Sequence, residues 1–139
     1  MDVRPLTDDL HVSPQIALAD LKALAASGYR AVISNRPDGE EPGQPMAAEM
    51  AAAAEAAGLA FRHLPVTVPT MTEADAAAFG AALAELPGPV LGFCRSGTRT
   101  TMLWALSQAG GRPTDEIVAA AAAAGYDLEA LRPRLDAAG

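Results

Sequence analysis

The alternation of short apolar segments with alanine-rich segments constrains the fold of this chain more than any other feature. Segments typical of buried strands occur at residues 10–13, 29–34, 59–66 and 89–93. The segments between them have helical spacing or high alanine content, and glycine or proline closes most of them. Strands that alternate with helices of this length predict an α/β fold, in which helices cover both faces of a mostly parallel sheet. The pattern leaves the strand order open.

Six helices are predicted around these strands. The first has Ser13 as its N-cap and ends at Gly28, with apolar positions that recur near helical spacing. Pro133 is expected to kink or shorten the last helix. The other predicted ranges are residues 46–57, 72–86, 99–110, 114–124 and 128–137.

Length and composition narrow the classes of protein to consider. With 139 residues, half of them hydrophobic, the chain has the size of one domain, and we predict a single domain over residues 1–139. A net charge of -7 argues against nucleic acid and anionic membranes as partners. A single cysteine and the lack of a signal-like segment indicate a reducing, cytoplasmic location, and two distant histidines argue against a metal centre. No cofactor is expected.

Polar loops follow three of the predicted strands. They comprise residues 35–45, 67–71 and 94–99. In parallel sheets of this kind, ligands bind beyond the carboxyl ends of the strands. The three loops are therefore expected to lie on one edge of the sheet and to form the binding site there.

Cys94 begins the loop that carries the most specific chemical signal. The sequence CRSGTR (residues 94–99) joins a strand to a helix, where backbone N–H groups and the helix dipole attract anions and favour the thiolate form of a cysteine. Cys94 is accordingly predicted to be a nucleophile, and Arg99 to hold an oxyanion through two parallel hydrogen bonds. A lone cysteine is more often a buried core residue, but a polar run directly after a strand favours catalysis here. The predicted anion-binding residues of this loop are Arg95, Ser96, Gly97, Thr98 and Thr100.

Together these motifs resemble the phosphatase-like domain of beta-lactamase hydrolase-like proteins, a family also called domain of unknown function 442. The resemblance spans about residues 5–110. It implies a fold similar to dual-specificity phosphatases, with an active-site loop that also resembles single-domain rhodaneses. The segments that carry it are SNRPDGEE (34–41), QP (44–45), LPV (64–66), GPVL (88–91) and CRSGTRTT (94–101), with Trp104.

Two departures from the phosphatase pattern bear on the reaction. Cysteine phosphatases resemble one another in His-Cys-x5-Arg, whereas this chain has Phe93 before the cysteine and a shorter Cys-x4-Arg spacing, as in rhodaneses. The loop that would hold a catalytic aspartic acid in such phosphatases has no carboxylate at residues 64–70. An alkoxide leaving group needs a general acid, whereas sulfite leaves as a stable anion. These features favour a sulfurtransferase that passes sulfane sulfur through a Cys94 persulfide.

Three functions therefore stay open at this point. The favoured sulfurtransferase would use thiosulfate or a persulfide as its anionic donor, and a thiol acceptor, cyanide or a reductant as its second partner. The alternative is a phosphatase that hydrolyses a phosphate ester through a phosphocysteine, with Asp38, Glu40 or Glu41 as the general acid. The third is a non-catalytic anion-binding module, against which the presence of both Cys94 and Arg99 argues.

The loop at residues 35–45 holds two further candidates. Arg36 is a candidate for anion binding and Asp38 for catalysis, but an Arg-Asp pair or an Asx turn that stabilises the loop explains them equally well. His11, His63 and Trp104 are expected to have packing roles.

Overall fold

A five-stranded sheet lies at the centre of the fold in a computed structural model, which describes residues 1–138. The strands follow the order β1-β2-β5-β3-β4. All neighbours pair in parallel except β1, which runs antiparallel to β2 at the edge. The strands are β1 (Arg4–Pro5), β2 (Leu10–Ser13), β3 (Ala31–Ser34), β4 (Ala60–His63) and β5 (Val90–Phe93).

Helices cover both faces of the sheet, as the alternating pattern predicts. Side chains of β3 alternate between the two faces, so that Ile33 joins one hydrophobic cluster and Val32 joins the other. The first cluster includes residues of α3 to α6 and the second includes residues of α1 and α2. The helices are α1 (Asp20–Ala26), α2 (Ala47–Ala56), α3 (Glu73–Glu85), α4 (Thr98–Gln108), α5 (Thr114–Ala123) and α6 (Arg132–Ala138).

The first helix begins later than the sequence predicts. Ser13 does not cap it: its hydroxyl donates to the Pro14 carbonyl oxygen at 2.9 Å. Helix α1 starts at Asp20, whose carboxylate accepts the Ala17 N–H at 2.8 Å. This local hydrogen bond competes with the backbone hydrogen bonds of an earlier helical turn. The residues before Asp20 are therefore not part of the helix, although their apolar side chains recur near helical spacing.

The C-terminal segment also differs in detail from the prediction. A 3₁₀ turn (Glu129–Leu131) precedes α6, and Pro133 is the second residue of that helix. Proline is tolerated there because N–H groups in the first turn have no intrahelical acceptor. Pro133 therefore does not kink the helix, but the α-helix is shorter than the predicted range of residues 128–137 at its N-terminal end, because it begins only one residue before the proline.

No helix within residues 1–138 combines the length and the apolar character that crossing a bilayer requires.

Candidate active site

Cys94 lies directly after β5, which runs between β2 and β3 in the sheet. The residue is buried, and α4 begins four residues later at Thr98. Gly92 allows α4 to approach the strand closely, because a Cβ at this position would lie 2.7 Å from the Thr100 methyl group. The sequence thus predicts the strand, the loop and the start of the helix correctly.

The loop between Cys94 and α4 directs a backbone donor at the cysteine. The Gly97 N–H donates a hydrogen bond to Cys94 Sγ at 3.1 Å. Gly97 has φ of +97°, a conformation that residues with a Cβ rarely adopt. A turn of this kind followed by a helix N-terminus is an anion-binding arrangement, and it stabilises negative charge on the sulfur.

Arg99 is held in place by three hydrogen bonds that leave one edge of its guanidinium available. Nη1 donates to Glu40 Oε2 at 2.8 Å and to the Val66 carbonyl oxygen at 3.0 Å, and Nη2 donates to Glu40 Oε1 at 2.8 Å. A guanidinium has five N–H donors. The Nε–H and the second Nη2–H are therefore left for a ligand, and they lie on the same edge as a fork suited to an oxyanion.

Glu40 raises the pKa of Arg99 through these hydrogen bonds, burial opposes the rise, and the nearby Cys94 sulfur adds to it. The guanidinium and the sulfur therefore interact within one site.

Glu40 also contacts a second arginine, which is buried. Arg36 is 1% exposed, and its Nε donates to Glu40 Oε1 at 2.9 Å. Its Nη1 donates to Gln15 Oε1 at 3.1 Å, and its Nη2 lies 3.2 Å from Glu41 Oε1 without the alignment of a hydrogen bond. Arg36 therefore pairs with Glu40 and Glu41, and not with Asp38 as an Arg-Asp pair would require.

The two arginines keep the Glu40 carboxylate ionised. Hydrogen bonds from Arg99 lower the pKa of Glu40 to about 2, against the opposing effect of burial, and Arg36 adds to the lowering. At neutral pH Glu40 is thus a carboxylate that accepts hydrogen bonds from both arginines. In this arrangement it positions Arg99 and has no proton to donate.

Two residues predicted for the site have their side chains engaged elsewhere. Asp38 is exposed, and its Oδ1 accepts the Ala47 N–H at the start of α2, at 2.7 Å. The buried Thr100 hydroxyl donates to Asn35 Oδ1 at 2.9 Å, and Asn35 Nδ2 donates to the Leu64 carbonyl oxygen at 3.0 Å. Thr100 thus links α4 to the loop after β3, and the structure does not bring it to the mouth of the anion loop.

The remaining predicted loop residues lie on the outer side of the loop. Arg95, Ser96 and Thr98 are exposed. The Ser96 hydroxyl donates to Thr98 Oγ1 at 3.1 Å, and it accepts the Thr98 N–H at 3.3 Å. The loop turn therefore has its own side-chain hydrogen bonds next to Cys94.

Gln15 and Tyr126 are among the residues that contact this site without being indicated by the sequence. Gln15 supports Arg36, and its N–H donates to the Arg95 carbonyl oxygen at 3.2 Å. Tyr126 donates its hydroxyl hydrogen to the Ser96 carbonyl oxygen at 3.0 Å. Neither residue belongs to a local motif, so only the tertiary structure identifies them.

No group of three or more His, Cys, Asp or Glu side chains within residues 1–138 is arranged to hold a metal ion.

Replacing Glu40 with glutamine is expected to lower the free energy of unfolding at pH 7 by about 1–2 kcal/mol. The change replaces the ionised partner of the buried Arg36 with a neutral amide, which weakens the interaction. The loss of stability is limited because Glu41 still lies beside Arg36 and because residue 40 is partly exposed to solvent. Chemical denaturation measures the difference. Glu85→Gln is the matched control, because it removes an exposed ion pair with Arg62 and should cost less than about 1 kcal/mol.

The effect of Glu40→Gln depends on pH in a defined direction. Because folding lowers the pKa of Glu40 from 4.5 to about 2, its stabilisation is fully present above pH 4.5 and is lost as the pH falls towards 2. The stability difference between wild type and Glu40→Gln should therefore shrink across that range. A difference that stays constant from pH 7 to pH 2 would contradict the assigned ion pairs.

Comparison with known proteins identifies related sequences and structures. Residues 2–111 match the sequence model of a family described as beta-lactamase hydrolase-like protein, phosphatase-like domain. A beta-lactamase hydrolase-like protein of Agrobacterium fabrum is 43% identical over 104 residues, which cover 75% of this chain and 24% of that protein. The chain thus spans about a quarter of the length of this relative.

Solved structures share the fold. A Neisseria meningitidis protein provisionally described as a phosphatase is 40% identical, has a TM-score of 0.88, and the match covers 100% of this chain and 99% of that one. The core catalytic domain of the PP-IP phosphatase SIW14 from S. cerevisiae has a TM-score of 0.71 at 12% identity, with 98% and 84% of the two chains covered. At this identity the second likeness concerns the fold alone.

Proposed function

The chain belongs to the phosphatase-like domain family of beta-lactamase hydrolase-like proteins, as its motifs predict, and we propose that it hydrolyses phosphate esters through a phosphocysteine on Cys94. The proposal places phosphate hydrolysis before sulfur transfer, whereas the sequence alone favours sulfur transfer. The family and the neighbouring folds are phosphatase-like. We regard this as stronger support for phosphate hydrolysis than the short Cys-x4-Arg loop is for sulfur transfer.

The observation that carries the proposal is the arrangement of donors around the Cys94 sulfur. The Gly97 N–H contacts the sulfur, and Arg99 is oriented so that two N–H groups on one edge stay available. A phosphoryl group bonded to sulfur has three peripheral oxygens that need such donors. The arrangement therefore supports attack by Cys94 on phosphorus, with Arg99 binding the charge on the phosphoryl oxygens.

The reaction follows in two displacement steps. The Cys94 thiolate attacks phosphorus, the S–P bond forms, and the bond between phosphorus and the leaving oxygen breaks with its electron pair on that oxygen. Water then attacks the phosphocysteine, the S–P bond breaks with its electron pair on sulfur, and the thiolate is restored while both protons of the water leave with the product as dihydrogen phosphate. Arg99 and the loop N–H groups bind the phosphoryl oxygens in both steps, which is where the transition-state charge lies.

Protonation of the leaving oxygen is the weak part of this site. Glu40 is ionised and bonded to two arginines, and Asp38 accepts a hydrogen bond at the start of α2. Asp38 and Glu41 remain candidates for the general acid if the loop at residues 35–45 moves when substrate binds. Without such movement, the site favours leaving groups that depart as stable anions, such as phenolates.

We therefore expect phenyl phosphate to be hydrolysed with a kcat/KM at least about a hundredfold above that of benzyl phosphate, since general acid catalysis is worth about 10²–10⁴. The two substrates have similar size and differ chiefly in the basicity of the leaving oxygen. Steady-state measurement of phosphate release gives both constants. Equal values would show that an acid is in place, and Asp38→Asn and Glu41→Gln would then identify it by loss of benzyl phosphate hydrolysis.

Sulfur transfer is the second candidate function. The short Cys-x4-Arg loop and the ionised Glu40 favour it, because sulfite needs no proton when it leaves. In that reaction the Cys94 thiolate would attack the sulfane sulfur of thiosulfate, release sulfite, and pass the sulfur to a thiol. Formation of a Cys94 persulfide on incubation with thiosulfate distinguishes this function from hydrolysis.

A further inference from the structure

Tyr126 contacts the anion loop from a part of the chain that lies beyond the family match. That match ends at residue 111, whereas Tyr126 follows α5. Its ring is buried, and its hydroxyl donates to the Ser96 carbonyl oxygen at 3.0 Å. A Cβ on residue 97 would collide with this hydroxyl, so the tyrosine lies directly against the turn at Gly97.

The acceptor of this hydrogen bond belongs to the same peptide unit as the donor that faces the cysteine. The Ser96 carbonyl and the Gly97 N–H are parts of one planar group and point in opposite directions. Tyr126 bonds the carbonyl, while the N–H donates to Cys94 Sγ at 3.1 Å. Whatever fixes the carbonyl therefore also fixes the direction of the N–H.

The orientation of this peptide needs to be fixed because glycine leaves it free to turn. Gly97 has no Cβ to restrict its backbone, and φ values of either sign are accessible to it. If the peptide turned over, the Ser96 carbonyl oxygen would face the sulfur and any bound oxyanion. Both would then meet the negative end of a dipole in place of a donor, which disfavours the thiolate.

Tyr126 is itself held firmly enough to perform this task. Its N–H donates to the Ala121 carbonyl oxygen at 2.8 Å, and the Arg4 guanidinium lies 5.5 Å from the centre of its ring. Arg4 also donates to the Ala124 carbonyl oxygen at 3.2 Å. Burial raises the pKa of Tyr126, with a smaller contribution from Cys94 against the opposing effect of Arg4, so the hydroxyl keeps its proton and stays a donor at neutral pH.

We propose that Tyr126 is a positioning residue whose hydroxyl holds the Ser96–Gly97 peptide with its N–H on the Cys94 sulfur, and so stabilises the negative charge that this sulfur carries as a nucleophile. The proposal rests on the proposed function only in treating Cys94 as the nucleophile. It extends the active site to the segment after α5.

Tyr126→Phe tests this proposal by removing one hydroxyl. The chain has a single cysteine, so the ultraviolet absorbance of its thiolate, with Cys94→Ser as the blank, gives a pH titration of that one sulfur. In Tyr126→Phe the midpoint of this titration should move up by about one pH unit, as expected for the loss of one hydrogen bond to a charged atom. If Tyr126→Phe only loosened the local structure and the Ser96–Gly97 peptide kept its orientation, the midpoint of the Cys94 titration would stay at its wild-type value.

Tyr29→Phe is the matched control. The Tyr29 hydroxyl lies 2.7 Å from His11 Nδ1, and its removal should not shift the titration of the cysteine. A midpoint in Tyr126→Phe that equals that of wild type would overturn the proposal. Because the titration needs no substrate, a shifted midpoint in a protein without phosphatase activity would refute the proposed function and still support the role of Tyr126.

Discussion

Replacing Cys94 with serine is expected to lower the rate of phosphate release from phenyl phosphate by at least about a thousandfold, because loss of a covalent nucleophile removes the main reaction path. The hydroxyl of serine has nearly the size of the thiol but remains protonated at neutral pH. The Gly97 N–H then faces a neutral oxygen in place of a sulfur that can carry charge. Phosphate release under saturating substrate gives the two rates.

The loss of activity in Cys94→Ser should occur without loss of the fold. Cys94 is buried, and the substitution keeps the volume of the side chain almost unchanged. Substrate binding should also persist, because Arg99 and the loop N–H groups are retained. A Cys94→Ser variant that hydrolyses phenyl phosphate at a rate near that of wild type would exclude Cys94 as the nucleophile.

Replacing Arg99 with lysine is expected to lower kcat/KM for phenyl phosphate by about 10²–10³, the usual cost of losing a donor to transition-state charge. An ammonium group cannot bond Glu40 and Val66 and at the same time offer two parallel donors to a phosphoryl group. Steady-state kinetics with wild type and variant give the ratio. The charge is retained, so the change tests the geometry of the guanidinium.

Arg134→Lys provides the matched control for this substitution. Arg134 forms an exposed ion pair with Glu73, and its replacement should leave kcat/KM within about twofold of wild type because exposed pairs contribute little. If Arg99→Lys behaves like Arg134→Lys, the guanidinium of Arg99 has a structural role and the phosphoryl group is bound by other donors.

The elements that depend on local pattern are predictable from the sequence. Alternation of apolar segments identifies the parallel sheet, and a polar run after residues 89–93 identifies the loop that carries Cys94. The N-cap at Thr72 is likewise a local signal, since its hydroxyl accepts the Asp75 N–H at 3.2 Å. These features arise from hydrogen bonds and side-chain periodicity within a few residues, so one sequence contains enough information.

Contacts between distant segments explain what the sequence could not show. The Glu40–Arg99 pair joins residues 59 positions apart, and Tyr126 reaches Ser96 across 30 positions. Polar residues in a loop indicate that a site exists, but they do not specify which carboxylate meets which arginine. For this reason the sequence offers Asp38, Glu40 and Glu41 as general acids and puts Asp38 forward for catalysis, whereas the structure gives Glu40 the contact with Arg99.

The sequence alone likewise does not decide between sulfur transfer and phosphate hydrolysis, because that decision also depends on contacts between distant residues. Loop length favours sulfur transfer by analogy, but it does not report the direction of the Gly97 N–H or the edge of Arg99 that stays available. These depend on the turn at Gly97 and on Glu40. Family membership and the geometry of these donors together support phosphate chemistry.

The central claim is that phosphate passes through the Cys94 sulfur, and the intact mass of the protein quenched during turnover tests it most directly. Wild type mixed with phenyl phosphate and denatured within the first turnover should gain the mass of one phosphoryl group, and Cys94→Ser should gain nothing. A parallel incubation with thiosulfate should leave wild type unchanged. A wild-type protein that gains one sulfur atom from thiosulfate and no phosphoryl group from phenyl phosphate would contradict the account.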